Sequence, residues 1–141
     1  METIQATCVV LQGKGVLLCG PPGSGKSDLA LRLIDAGALL VSDDLITITA
    51  SDKTLTARFP DAPQNLRGVI EVRGMGLIKV PHQAKTQIDL VIDLSDKIER
   101  MPHVMTRSMA GIKIETVTLN PFEASAPAKI RMALLHERVE L

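Results

Sequence analysis

Apolar and polar positions follow two periods along this chain. Residues 3–10 alternate loosely and predict a strand, and residues 11–14, with Gly13 and Gly15 close by, predict the turn after it. The apolar run 16–19 predicts a buried strand. Residues 27–36 change to the helical period, with Leu29, Ala30, Leu33 and Ile34 on one face and Gly37 as the stop. Residues 38–41 and 45–49 then read as strands, and a turn at 51–53 leads into a strand at 54–59. Pro60, Pro63 and Gly68 mark a loop. In the strand expected at 69–73, Ile70 and Val72 share one face and Glu71 and Arg73 the other. Gly74 to Gly76 interrupts this strand, which resumes over 77–80. Residues 82–85 are a loop, and a strand over 86–94 places Ile88, Leu90, Ile92 and Leu94 together. Residues 95–112 are polar and irregular, 112–119 alternate as a strand, and Ser125 and Pro127 announce a last helix over 128–139.

This order differs from an alternating strand–helix fold. One helix is followed by a long succession of β runs, which predicts an α/β fold built on a mixed sheet with hairpins. Between the apolar run and the first helix stands Gly20-Pro21-Pro22-Gly23-Ser24-Gly25-Lys26-Ser27, a complete G-x-x-x-x-G-K-S motif. Glycines let a backbone turn tightly enough to aim several N–H groups at one anion, and the following helix N-terminus adds positive charge. In a loop of this kind Lys26 reaches the β- and γ-phosphates and the Ser27 hydroxyl binds Mg²⁺. Strand, loop and helix is the context that the motif requires.

The composition narrows the partners. The 141 residues suit a single domain, and a 45% hydrophobic content suits a packed core. Lys+Arg and Asp+Glu are 16 each, so there is no basic excess of the kind a nucleic-acid partner requires. With no Trp or Tyr and only two Phe, the chain is expected to offer a bound adenine aliphatic contacts at best. Residues 1–14 lack the pattern of a signal peptide and no stretch approaches a membrane span, so the expected location is the cytoplasm. Cys8 and Cys19 lie on runs joined by a short turn and are expected as free buried thiols. His82, His103 and His136 fit no zinc spacing and are expected at the surface.

Phosphoryl transfer needs carboxylates for the metal and for the acceptor hydroxyl. Asp43 and Asp44 follow the first strand after the helix, and a place for that strand beside the one feeding the loop would bring their end to the phosphates. Glu71 is a charge in an apolar strand, with Arg73 as a simple ion-pair partner. Asp93 ends an apolar run as the metal-binding Asp of many nucleoside triphosphatases does. Spacing alone leaves these candidates open.

GPPGSGKSDLALRLIDAGALLVSDD, followed later by EVRGMGLIKV, resembles the catalytic domain of HPr kinase/phosphorylase over residues 5–80. The ending PFEASAPAKIRMAL is similar to short proteobacterial forms that lack a separate N-terminal domain. The resemblance implies a fold related to phosphoenolpyruvate carboxykinase and one catalytic domain over 1–141. It implies ATP or pyrophosphate as donor, Mg²⁺ as cofactor and a serine of the carrier protein HPr as acceptor, with removal by phosphorolysis, and a cytoplasmic homo-hexamer. By position it assigns the phosphates to residues 20–27, Mg²⁺ to Ser27 and Glu71, acid–base work to Asp44 and the transferring group to Arg100, with Asp43, Arg73, Gly74 and Gly76 in support. Gln5 stands where the family carries a His, which removes a titratable group. The loop after the second segment is shortened to 81–86, and little chain follows residue 135. A small-molecule kinase and a non-catalytic nucleotide-binding protein are the competing readings.

Overall fold

The computed structural model describes residues 1–140. Its organising strand is β9 (Lys85–Leu94), which is hydrogen-bonded along both edges. β3 (Lys14–Cys19) runs parallel to β9 on one side, and β11 (Ile112–Leu119) runs parallel to it near the C-terminal end. The start of β9 pairs antiparallel with β6 (Thr54–Arg58). Beyond β3 come β2 (Thr7–Leu11) and then β4 (Leu39–Ser42), both joined by antiparallel ladders. β5 (Leu45–Ser51) pairs with β6 and with β1 (Glu2–Gln5), and β10 (Met105–Met109) pairs with β11, completing a nine-stranded mixed sheet. β7 (Val69–Val72) and β8 (Gly76–Lys79) form a separate two-stranded hairpin.

Side chains alternate across the pleat and fill two cores. Val9, Val16, Leu18, Leu90 and Ile92 meet the helices α1 (Lys26–Asp35) and α2 (Ala126–Leu135) through Leu29, Ala30, Leu33 and Ile130. Cys8, Val10, Leu17 and Val91 meet Ile46, Ile48 and Leu55 on the other face, where the β5–β6 hairpin closes over the sheet. Each fully buried Leu or Ile contributes roughly 1.5–3 kcal/mol. The hairpin β7–β8 joins the helical core through Ile70, with Val72 packed against it.

The structure revises several expectations. The run 3–10 is two strands, because the chain changes sheet partners at the fully buried Ala6, whose amide bonds to the Asp44 carbonyl at 3.0 Å. Gln5 therefore lies opposite Leu45 on β5 and not beside the strand that enters the glycine-rich loop. β4 is separated from β3 by β2, although two antiparallel steps leave β4 running in the same direction as β3. Ile88 joins the second core, because the β3–β9 register slips where Gly15 faces Ile88 and Val16 faces Leu90. The approach there is so close that a β-carbon at Gly15 would overlap the Gln87 carbonyl. β10 lies inside the stretch read as irregular; its residues are almost all exposed, so no apolar period marks it. The last helix begins two residues early and stops at Leu135, and the tail is then tied down by the Arg138–Glu115 ion pair and by the Val104 amide, which donates to Glu140 at 2.6 Å.

Burial raises the Cys8 thiol far above its usual value, with nearby Cys19 adding to the rise. Burial likewise raises Cys19, against the opposing pull of Arg107. Both thiols hold their protons more tightly folded than unfolded, so their contribution is complete below the unfolded pKa and declines as pH rises above about 8.5. Native protein should leave both unreactive toward a disulfide reagent at pH 8. Stability by urea unfolding should fall by about 1 kcal/mol or more between pH 7.5 and 9.5, and the fall should shrink in a Cys8→Ala/Cys19→Ala double variant. Rapid labelling of the folded chain would contradict this.

Candidate functional site

The 20–27 loop leaves the C-terminal end of β3 and enters α1. The Ser24 amide donates to the Pro21 carbonyl at 3.1 Å, and Gly23 and Gly25 take φ of +79° and +99°. Only glycine adopts these angles without strain. A β-carbon at Gly25 would also lie 3.1 Å from Pro121 and 3.2 Å from ring atoms of Phe122. Lys26 is buried, and its ammonium donates to the Gly20 and Pro21 carbonyls at 2.7 and 3.1 Å. Ser24 Oγ is buried and has no hydrogen-bond partner among the described residues. A curled backbone, a helix N-terminus, a cation and an orphaned hydroxyl together suit an anion with many acceptor oxygens.

The acidic pair meets the start of α1. Ser27 Oγ donates to Asp43 Oδ1 at 2.8 Å, and Thr7 Oγ1 donates to the same oxygen at 2.9 Å. Thr7 in turn accepts from the Asp44 amide at 3.3 Å. Asp44 has φ +73°, a left-handed conformation that Asp tolerates better than most residues, and it is exposed. The two carboxylates thus differ: Asp43 is held against the loop, whereas Asp44 makes no side-chain hydrogen bond among the described residues. Thr7 carries no motif and its part here was not legible from the sequence.

The other candidates lie at varied distances along the chain from this pair. Glu71 and Arg73 are exposed at the β7–β8 hairpin, with Gly74 and Gly76 at its tip, and among the described residues they form no ion pair with each other. Asp93 faces Cys19 across the β3–β9 ladder and forms an ion pair with Arg107 at 2.6 Å, a partner from the strand that the sequence did not reveal. Beside Asp93 opens a cleft of about 510 Å³ lined by Lys97, Glu99, His103, Arg107, Thr118 and Arg138. Arg100 is exposed in the segment after β9. Gln5 is exposed and sits opposite Leu45, next in the chain to Asp44. His82, His103 and His136 are exposed, and no group of three His, Cys, Asp or Glu among the described residues is placed to hold a metal ion by itself. The loop offers a hard oxygen donor in Ser27, held by Asp43, which suits Mg²⁺, an ion that usually takes few protein ligands and keeps waters and phosphate oxygens in its shell.

Comparison with known proteins agrees with this architecture. The family described as HPr Serine kinase C-terminal domain matches residues 1–130. A protein named HPr kinase/phosphorylase from Caldicellulosiruptor bescii is 36% identical over 131 residues, covering 83% of this chain and 41% of that protein. One of the same name from Alkaliphilus metalliredigens is 34% identical over 130 residues, again covering 83% and 41%. The chain thus spans about two fifths of the length of these relatives. Among solved structures, the Hpr(Ser) kinase/phosphatase from Coxiella burnetii superposes with a TM-score of 0.79 at 28% identity, covering 95% of this chain and 94% of that one. No helix of the described residues is long and apolar enough to cross a membrane. On the strength of a match that runs through 130 of its residues, the chain belongs to the HPr serine kinase C-terminal domain family.

Proposed function

We propose that this chain transfers a phosphoryl group from ATP or pyrophosphate to a serine of an HPr-type phosphocarrier protein, and returns that group to inorganic phosphate. The observation that carries the reading is the Ser27–Asp43 hydrogen bond, which joins the G-x-x-x-x-G-K-S helix to the acidic pair. The names of the relatives support the choice of acceptor and of a reversible reaction. In this reading residues 20–27 hold the donor phosphates and Lys26 exchanges the loop carbonyls for β- and γ-phosphate oxygens. Ser27 and Glu71 are assigned to Mg²⁺, which, when bound, neutralises charge on the phosphates. Asp43 orients Ser27, and Arg73, Gly74 and Gly76 shape the hairpin that carries Glu71. Arg100 is assigned to the transferring group.

Asp44 is the acid–base residue of the proposal, because its carboxylate is exposed to an incoming protein while Asp43 is engaged. The serine oxygen attacks the γ-phosphorus, the bond to the β,γ-bridging oxygen breaks, and the serine proton passes to Asp44. In the opposite direction inorganic phosphate attacks the phosphoserine phosphorus. The bond to the serine oxygen breaks, pyrophosphate forms, and Asp44 returns its proton to that oxygen. The reading includes a cytoplasmic homo-oligomer, with the hexamer that the resemblance implies.

Incubation with an HPr-type protein, Mg²⁺ and ATP or pyrophosphate should yield phosphoserine, read by mass. Lys26→Ala should lower the rate by about 100-fold or more with far-UV circular dichroism retained; near-parental turnover in a folded variant would refute the role of the loop. Glu71→Gln should shift the Mg²⁺ titration to higher concentration. If instead the Glu71→Gln and parent curves superimpose while Asp93→Asn shifts, the ligand is Asp93. The third test concerns Gln5. Phosphorolysis starts from a protonated acid, and an imidazole at residue 5 would add a group able to hold and pass a proton near neutrality. Gln5→His should raise phosphorolysis more than phosphorylation, within the about 10²–10⁴-fold range typical of acid–base assistance. Measured across a pH series, equal changes in both directions would remove residue 5 from the mechanism.

A further inference from the structure

The strands β3, β9 and β11 are parallel, and β4 runs in the same direction. Their C-terminal ends therefore share one edge of the sheet, the usual side for ligands in such folds. The 20–27 loop follows β3, the acidic pair follows β4 and residues 120–125 follow β11. Since the order across the sheet is β11, β9, β3, β2, β4, the acidic pair and residues 120–125 flank the loop from opposite sides. Ser27 is turned toward Asp43, and Gly25 is turned toward Pro121 and Phe122.

A nucleotide with its terminal phosphate on the acidic side must extend its remaining atoms the other way, toward residues 120–125. Phe122 stands there as an exposed residue, 71% accessible, though one edge of its ring lies against Gly25. The other Phe, Phe59, is buried and covered by the Arg67 guanidinium 5.6 Å from its centre, so Phe122 is the sole phenyl ring presented to solvent among the described residues. The segment is braced. Arg32 of α1 donates to the Pro121 and Glu123 carbonyls, the Phe122 amide donates to Asn120 Oδ1 at 3.0 Å, and Lys129 pairs with Glu123 at 2.8 Å. A backbone braced in this way limits the freedom that the segment gives up when a flat ligand settles on Phe122.

We propose that Phe122 is the stacking platform for the base of a purine nucleoside di- or triphosphate whose phosphates occupy the 20–27 loop. The inference rests on the proposed donor site and adds what the loop lacks, a means of distinguishing a nucleotide from pyrophosphate. A phenyl ring reads the face of the base and none of its hydrogen-bonding edges, so it serves adenine and guanine alike.

Titration calorimetry with ADP and with pyrophosphate separates the outcomes. Phe122→Ala should weaken ADP by about 5- to 150-fold and leave pyrophosphate within about twofold, as expected for loss of one stacked base. Because the chain contains no Trp, Phe122→Trp installs a single indole, whose fluorescence ADP should quench and pyrophosphate should not. Unchanged ADP affinity in Phe122→Ala overturns the proposal. So does an equal loss of both ligands, which would mean that the ring only props Gly25. Parent protein that binds neither ligand overturns the donor site and this inference with it, whereas parent binding with a failed Phe122 result removes the inference alone.

Discussion

A strand covered by packed layers on both faces has to be apolar on both, and that requirement on the second half of β9, residues 90–92, governs the molecule. Leu90, Ile92 and Leu94 serve the helical core while Ile88 and Val91 serve the other. The same strand sets the parallel alignment of β3 and β11, and so decides which loops meet at one edge. The slip in register at Gly15 is the price of keeping both cores filled. A side chain at that position would force the two strands apart at the start of β3, the strand that carries the loop at its other end.

What could be read from the chain, and what could not, follows from how local each signal is. The glycine-rich loop, the helix after it and the β5–β6 hairpin are encoded within a few residues, and all appear where expected. Ala6 carries no mark of the partner exchange that divides residues 3–10, because the exchange is decided by the Asp44 carbonyl far along the chain. β10 escaped because a strand with solvent on both sides needs no alternation. Phe122 was visible as an aromatic residue, but its place beside Gly25 depends on β11 lying two strands from β3, a fact of sheet order that no spacing conveys.

The acidic pair illustrates the same division. Had β4 continued through residues 43 and 44, pleat alternation would have sent the two carboxylates to opposite faces. The structure adds the cause of their different surroundings. β4 ends at Ser42, Asp44 adopts a left-handed angle, and the backbone turns away so that Asp43 remains with Thr7 and Ser27. Two identical side chains thereby acquire one structural and one accessible carboxylate without any difference in composition.

The β7–β8 hairpin shares no strand ladder with the nine-stranded sheet. The hairpin itself is seated by apolar contacts, through Ile70 and Val72, while the chain just after it is bonded to β4, where Leu40 donates to the Pro81 carbonyl and accepts from the Gln83 amide. With only two strands in its ladder, the hairpin's amides should exchange with solvent by local opening before those of β3 and β9. Glu71 rides on that hairpin, while Ser27 belongs to the helix packed on the sheet. The separation between these two oxygen donors thus depends on how Ile70 and Val72 seat in the helical core and on the backbone bonds that hold residues 81–83 to Leu40.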